Sequence, residues 1–187
     1  MNTRKYMLKN SLVACLACCC ISIASAGNPP FFPTDIAVNG KGELLMTDKG
    51  VKRVDVFSPD GTALLRSFPM DEAPTGILMD GDKAYVTTFG TTGHLQVLLL
   101  ESGRIEASIP TGSGACHPMF GPDRKHIYVC NQFQNTVSEI DPASRKVVRT
   151  VKVLREPKSA VFSKDGKYMF VTNFLPVHSL MHRLLKM

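Results

Sequence analysis

Cys116, His117 and Cys130 pose the first chemical question in this sequence, because two thiols and an imidazole lie within one short stretch. If the turn between them is Gly121–Lys125, Phe120 faces His126 and Cys116 falls opposite Cys130 across a hairpin. Cross-strand neighbours hold their Cβ atoms about 4.5–5.5 Å apart, within reach of a slightly adjusted disulfide. Three states are open to the pair: a Cys116–Cys130 disulfide, two buried free thiols, or a reactive or metal-ligating cysteine. A one-residue slip in register would separate them. His117 starts a strand beside Cys116 and is a candidate for a binding mouth at that strand's end. Ligation of haem or metal there lacks a second histidine or a paired carboxylate.

The other reactive residues make weaker constellations. His178 and His182 have the spacing that places two ligands on one helix face, without the glutamate of a metalloprotease motif. Cys15 and Cys18 are followed by Cys19 rather than histidine, so the c-type haem signature fails. No Gly-x-Ser-x-Gly elbow occurs. Thr111-Gly112-Ser113-Gly114-Ala115 lacks the lysine and following helix of a phosphate loop and reads as a connecting loop. Asp80, Asp123 and Asp165 sit in turns and cap hairpins rather than move protons. His94 and His126 occupy strand edges and read as structural. The sequence therefore offers no catalytic set and implies no cofactor or metal.

The elements that must position these residues begin after an export signal. Residues 1–10 form a basic segment and residues 12–23 an apolar one. Ala24-Ser25-Ala26 then supplies small residues for cleavage between Ala26 and Gly27. The apolar stretch is too short for a bilayer anchor, which needs about 20 residues, so no transmembrane segment is expected. A rival reading takes Leu12-Val13-Ala14-Cys15 as a lipobox with Cys15 lipidated, although the apolar run before it is very short. Cleavage removes Cys15, Cys18, Cys19 and Cys20 and leaves Cys116 and Cys130. The location implied is periplasmic, extracellular or on the cell surface. The formal charge of +6 is carried in half by Arg4, Lys5 and Lys9 of the signal. The remaining basic residues alternate with acids, as in Lys52-Arg53-Val54-Asp55, so no single-sign stripe exists to track a nucleic acid.

Residues 27–173 repeat. A unit of Pro, short apolar strand, Gly/Asp turn and β-branched strand starts at Pro33, Pro74, Pro118 and Pro157, at intervals of roughly 40 residues. Second strands read Leu44-Leu45-Met46-Thr47, Tyr85-Val86-Thr87-Thr88, Tyr128-Val129-Cys130-Asn131 and Phe170-Val171-Thr172-Asn173. Third and fourth strands follow in the first three units, and no 3.6-residue period is sustained. This is the pattern of four-stranded antiparallel β-propeller blades, spanning about 33–73, 74–116 and 117–156, with a half blade at 157–173. Ile36, Ile77, Val86, Val129, Val161 and Val171 are expected in blade cores, and His117 at the mouth of the propeller channel.

Tyr128-Val129-Cys130-Asn131 and Phe170-Val171-Thr172-Asn173, with Ser163-Lys164-Asp165-Gly166-Lys167 upstream of the latter, resemble the YVTN β-propeller repeat. The first unit departs from it with Leu45-Met46-Thr47-Asp48. The resemblance implies a closed ring, usually of seven blades, in proteins that are often periplasmic or surface-exposed. Its residues pack blades together and say little about function.

Three and a half blades make an incomplete ring, since closure needs about 4–8. Residues 174–187 leave the pattern and read as a short amphipathic helix that supplies no third strand. A truncated or frame-shifted form of a longer propeller is the leading expectation, ahead of self-association into a ring or completion of a separate partner. The function expected is that of an exported binding or scaffold module whose ligand is a small molecule, carbohydrate or protein. The alternative is part of a propeller enzyme, such as a lactonase-like hydrolase or a redox protein.

Overall fold

The computed structural model describes residues 31–174 and 185–186. They form an all-β chain of meandering antiparallel sheets. The first sheet is β1 (Pro33–Val38), β2 (Leu44–Asp48), β3 (Arg53–Phe57) and β4 (Leu64–Pro69). The second is β5 (Ala73–Asp80), β6 (Lys83–Phe89), β7 (His94–Leu99) and β8 (Ile105–Pro110). The third is β9 (Ala115–Phe120), β10 (Ile127–Asn131), β11 (Thr136–Asp141) and β12 (Lys146–Lys152). The last has β13 (Pro157–Phe162), β14 (Tyr168–Asn173) and β15 (Leu185–Lys186). Within each sheet, strand order follows the chain. Among the described residues the sheets do not close into a ring.

Turn chemistry fixes the hairpins. Between β1 and β2, the Asn39 carboxamide oxygen accepts from the Lys41 and Glu43 amides at 2.9 and 3.0 Å. Asp123 accepts from the Lys125 amide, and Asp165 from the Lys167 amide. These short acceptors hold turns that the backbone alone would leave with unpaired N–H groups. Asp80 does something else: it faces Arg124 of the next sheet at 3.6 Å.

First strands of successive sheets touch, β1 to β5, β5 to β9 and β9 to β13, so the sheets fan out from an axis lined by these strands. The core is three seams between sheets. Leu45, Val54, Val56 and Phe68 meet Ile77, Ala84, Val86 and Leu98 in the first. Tyr85, Leu95, Val97 and Ile109 meet Ala115, Ile127, Val129 and Ile140 in the second. Cys116, Tyr128, Cys130 and Val137 meet Ala160 and Met169 in the third. Alternate side chains of each sheet point to one neighbour or the other, as the period of two requires.

That alternation corrects part of the expected core. Ile77, Val86 and Val129 are buried, but Ile36 is 59% exposed and Val161 62% exposed. Ile36 points away from the second sheet and Val161 away from the third, on the two outer faces of the fan, where no further sheet covers them. The tail is also corrected in part. Leu185 and Lys186, expected as helix, are strand β15, paired with Met169 and Tyr168 of β14 as a short third strand. The rest of the tail lies outside the described residues, as do the signal, Cys15 and the Ala26–Gly27 junction. Among the described residues no helix is long and apolar enough to cross a membrane.

Every first strand carries a bulge near its start, between Pro33 and Asp35, Pro74 and Gly76, and Pro157 and Ser159. In β9 it comes at His117–Pro118 against Val129. Ala115 thus holds the place of Pro33, Pro74 and Pro157, and the third unit starts in the loop before Ala115 rather than between residues 116 and 117.

Candidate functional site

The bulge sets the geometry around Cys116, His117 and Cys130. In register terms Cys116 replaces Thr34 and Thr75, Cys130 replaces Thr47 and Thr87, and His117 replaces Asp35 and Gly76. In the first two sheets the threonine hydroxyls pair across the strands, Thr34 to Thr47 at 2.9 Å and Thr75 to Thr87 at 3.1 Å. The upstream threonine also donates to the next sheet's first carbonyl, Thr34 to Pro74 at 3.2 Å and Thr75 to Ala115 at 2.6 Å. Cys116 repeats that reach, its thiol lying 3.9 Å from the Pro157 carbonyl and 3.7 Å from that of Lys158.

Cys116 and Cys130 are directly opposed and buried, and both are free thiols. The opposition arises differently from the expected register. Phe120 pairs with Ile127, not His126, and the bulge shifts the ladder back by one residue before Cys116. Burial pushes the Cys116 thiol up to about 11 and raises that of Cys130 further, the latter with a smaller push from Cys116. Neither is an activated nucleophile, because the reactive thiolate is disfavoured in an apolar site.

His117 has φ +50°, the left-handed backbone of the bulge. Its Nε2 lies 3.1 Å from the Ala160 carbonyl and 3.2 Å from the Ser159 hydroxyl of the next first strand. A carbonyl only accepts, so the Nε2–H tautomer donates there. Asp35 bridges its own seam at the same register position, accepting from the Ile77 amide at 3.0 Å. His117 is therefore first of all a seam residue, with its ring on the wall of a cleft.

That cleft opens between β9 and β13 along the axial strands and has a volume of about 670 Å³. Met119, Phe120 and Phe162 give it apolar walls, and His117, Ser159, Ser163 and Lys164 give it hydrogen-bonding and charged points. Among the described residues that line it, His117 and Lys164 are the titratable side chains. An apolar slot with a few convergent polar groups suits the binding of a small organic or peptide ligand.

Near the start of the first strands lies a second polar cluster that sequence spacing did not reveal. Glu72 Oε2 is 2.9 Å from His94 Nδ1 and accepts from the Thr88 hydroxyl. The Thr88 oxygen in turn accepts from the His94 amide at 3.3 Å. Thr88 donates to the carboxylate and not to the imidazole, so the trio is not a nucleophile–base array. It ties the loop before β5 to the start of β7. Glu72 sits in an irregular connection with no recurring partner distance, which leaves no periodic signal to read. Nearby, the Lys49 ammonium stands 3.6 Å over the Phe89 ring, and Phe89 meets Phe133 edge-on at 5.6 Å, stitching three sheets across their loops. The Gly112–Gly114 loop does the same through backbone bonds, Gly112 O accepting from Gly93 and Gly114 O from Gln132. Among the described residues, no group of three His, Cys, Asp or Glu side chains is placed to hold a metal.

Radiating four-stranded meanders joined at their first strands define a β-propeller architecture. Solved structures agree. The chain superposes on hydrazine synthase of Kuenenia stuttgartiensis with a TM-score of 0.71 at 16% identity, over 88% of this chain and 52% of that one. It superposes on virginiamycin B lyase from Staphylococcus aureus with a TM-score of 0.62 at 15% identity, over 76% of this chain and 49% of the lyase. At such identities the likeness is one of fold. Antigen Lp49 of Leptospira interrogans is 25% identical over 113 residues, which are 56% of this chain and 25% of that protein. The chain thus spans about a quarter of that curated relative and about half of each propeller chain. No family model matches the sequence.

Proposed function

We propose that this chain is an exported β-propeller binding module of YVTN-like repeats, acting in the periplasm or at the cell surface. Its ligand, a small molecule, carbohydrate or short peptide, lies in the cleft between β9 and β13. The observation that carries this reading is the cleft itself: aromatic and methionine walls, with His117 and Ser159 at one end and Lys164 at the other. The leader at residues 1–26 supports export, and the Tyr128–Asn131 and Phe170–Asn173 segments support the repeat type. Lys164 favours ligands bearing a carboxylate or another anionic group over cationic ones.

Titration of small carboxylates, sugars and short peptides against protein carrying ¹³C-labelled methionine methyls tests the site. The Met119 methyl signal is expected to shift with a ligand, and Lys164→Ala to weaken binding of an anionic ligand about tenfold. Binding that leaves the Met119 signal unmoved would place the ligand elsewhere. The enzyme reading draws on the names of the two structural neighbours, a synthase and a lyase. Lactone hydrolysis lost with chelator and restored by a divalent ion would favour it over the binding module.

A further inference from the structure

We propose that Cys116 and Cys130 form a dithiol–disulfide pair, and that its oxidation withdraws Cys116 from the third seam and loosens the cleft between β9 and β13. That ligand affinity follows the loosening rests on the cleft being the ligand site; the loosening itself does not.

The sister sheets show the geometry. Thr34 and Thr47, and Thr75 and Thr87, occupy the positions of the two cysteines, and their γ oxygens stand 2.9 and 3.1 Å apart. The backbone at this bulge therefore aims two γ atoms at each other, and Cys116 lies directly opposite Cys130. Two sulfurs so aimed close to a bond of about 2.05 Å with movements on the order of 1 Å each. In the last sheet the same positions hold Lys158 and Thr172, so of the described sheets the third alone carries a pair that can be oxidised.

The upstream atom of the pair has a second task. Thr34 holds the Pro74 carbonyl of the next sheet, Thr75 that of Ala115, and Cys116 those of Pro157 and Lys158. A hydroxyl or a thiol performs both tasks, because it carries a proton to donate. A disulfide sulfur carries none and is drawn toward Cys130, so oxidation leaves two carbonyls of β13 without that donor. His117, bonded to Ala160 and Ser159, then holds β9 to β13 with only the apolar contacts of the seam beside it.

A small-molecule disulfide is the oxidant. The Cys116 thiolate attacks one of its sulfurs and releases the first thiolate. The Cys130 thiolate then attacks the Cys116 sulfur and releases the second, so two electrons pass from the pair to the oxidant and its two thiols take up the two protons. With the seam closed, Cys116 is 5% and Cys130 1% exposed, so exchange proceeds from a state in which the seam is open. The coupling is reciprocal: whatever favours the closed cleft favours the dithiol.

The test oxidises the full chain with glutathione disulfide, both in the native state and during refolding from urea. A Cys116–Cys130 cross-linked peptide is expected by mass spectrometry, formed slowly in native protein and promptly on refolding. In the cross-linked protein β13 amides should exchange about three- to tenfold faster, as loss of one hydrogen bond implies. The Met119 methyl signal should move as well, while exchange in β1, β2 and β6 stays unchanged. The Cys116→Thr, Cys130→Thr protein, given the same oxidant, should show neither change. Absence of the cross-linked peptide after refolding overturns the inference, as does cross-linking of either residue to another cysteine. So does a disulfide that leaves β13 and Met119 as they were, or one that speeds exchange in every sheet alike. These readouts need no ligand, so their failure is distinct from a failure of the cleft to bind, which the methyl titration reports.

Discussion

At the scale of the residue, the Cys116–Cys130 pair is a threonine pair rewritten in sulfur. Its register neighbours Thr34–Thr47 and Thr75–Thr87 show what the position does, which is to bond across the hairpin and reach the next sheet. The double change Cys116→Thr, Cys130→Thr should therefore cost little, within about 1 kcal/mol by denaturant titration, because one hydrogen-bonded pair replaces another. Burial makes the wild-type thiols poor nucleophiles. In native protein Cys116 and Cys130 should alkylate at pH 8 at least a hundredfold more slowly than in urea, where both are expected to be labelled without reductant. No label in urea would instead report a Cys116–Cys130 disulfide. The raised Cys116 pKa, about 11, also sets a sign. Between the ordinary thiol value near 9 and 11 the unfolded chain has lost a proton that the folded chain keeps, so stability falls as pH rises through that window. The double threonine variant should lose that part of the alkaline slope. The sequence placed the two cysteines opposite each other but not the bulge at His117 that brings them there, because a bulge depends on how one strand's left-handed residue fits its partner.

Single strands were legible because their chemistry is local. Alternation and β-branched content located the second strands, and turn acids located the hairpins. Asp48 departs from the repeat in letter and bonds differently at the same place. It ends β2 where Asn131 ends β10, and its Oδ1 accepts from the Phe32, Gly50 and Val51 amides. Asn131 holds its own turn by donating to Thr136 and Ser138. The seams between sheets were less legible, since they depend on which neighbour each alternate residue meets. Gly76 is the sharpest case. A Cβ there would stand 2.6 Å from Pro118 Cδ and 3.0 Å from the His117 amide nitrogen, so the second and third sheets meet backbone to backbone. Gly76→Ala should destabilise the protein by about 1–3 kcal/mol, the usual range for overpacking. Thr75→Val keeps the shape but strips the Ala115 carbonyl of its 2.6 Å partner, and should cost about 1–2 kcal/mol. Urea midpoints compared at constant slope measure both. A Gly76→Ala protein as stable as wild type would mean that the seam relaxes, and the close approach would lose its structural importance.

For the whole molecule, the sequence showed the repeat of β-propeller-like units, but not the way exposure is shared between their faces. Ile36 and Ile77 are alike in type and register, yet one is exposed and the other buried, because burial here is decided by the presence of a neighbouring sheet. Stability in such an array is nearly a sum of each sheet's own term and the seams on either side. The second and third sheets have two seams each. The first has one, and the last has one together with a two-residue third strand. Amide exchange should rank accordingly: β13 and β14 open first, β1 and β2 next, and β6 and β10 last. Mass-resolved exchange on peptides from each strand measures this order. Equal protection of all four sheets would mean that the fan unfolds as one unit, and that the seams are too strong for their number to matter.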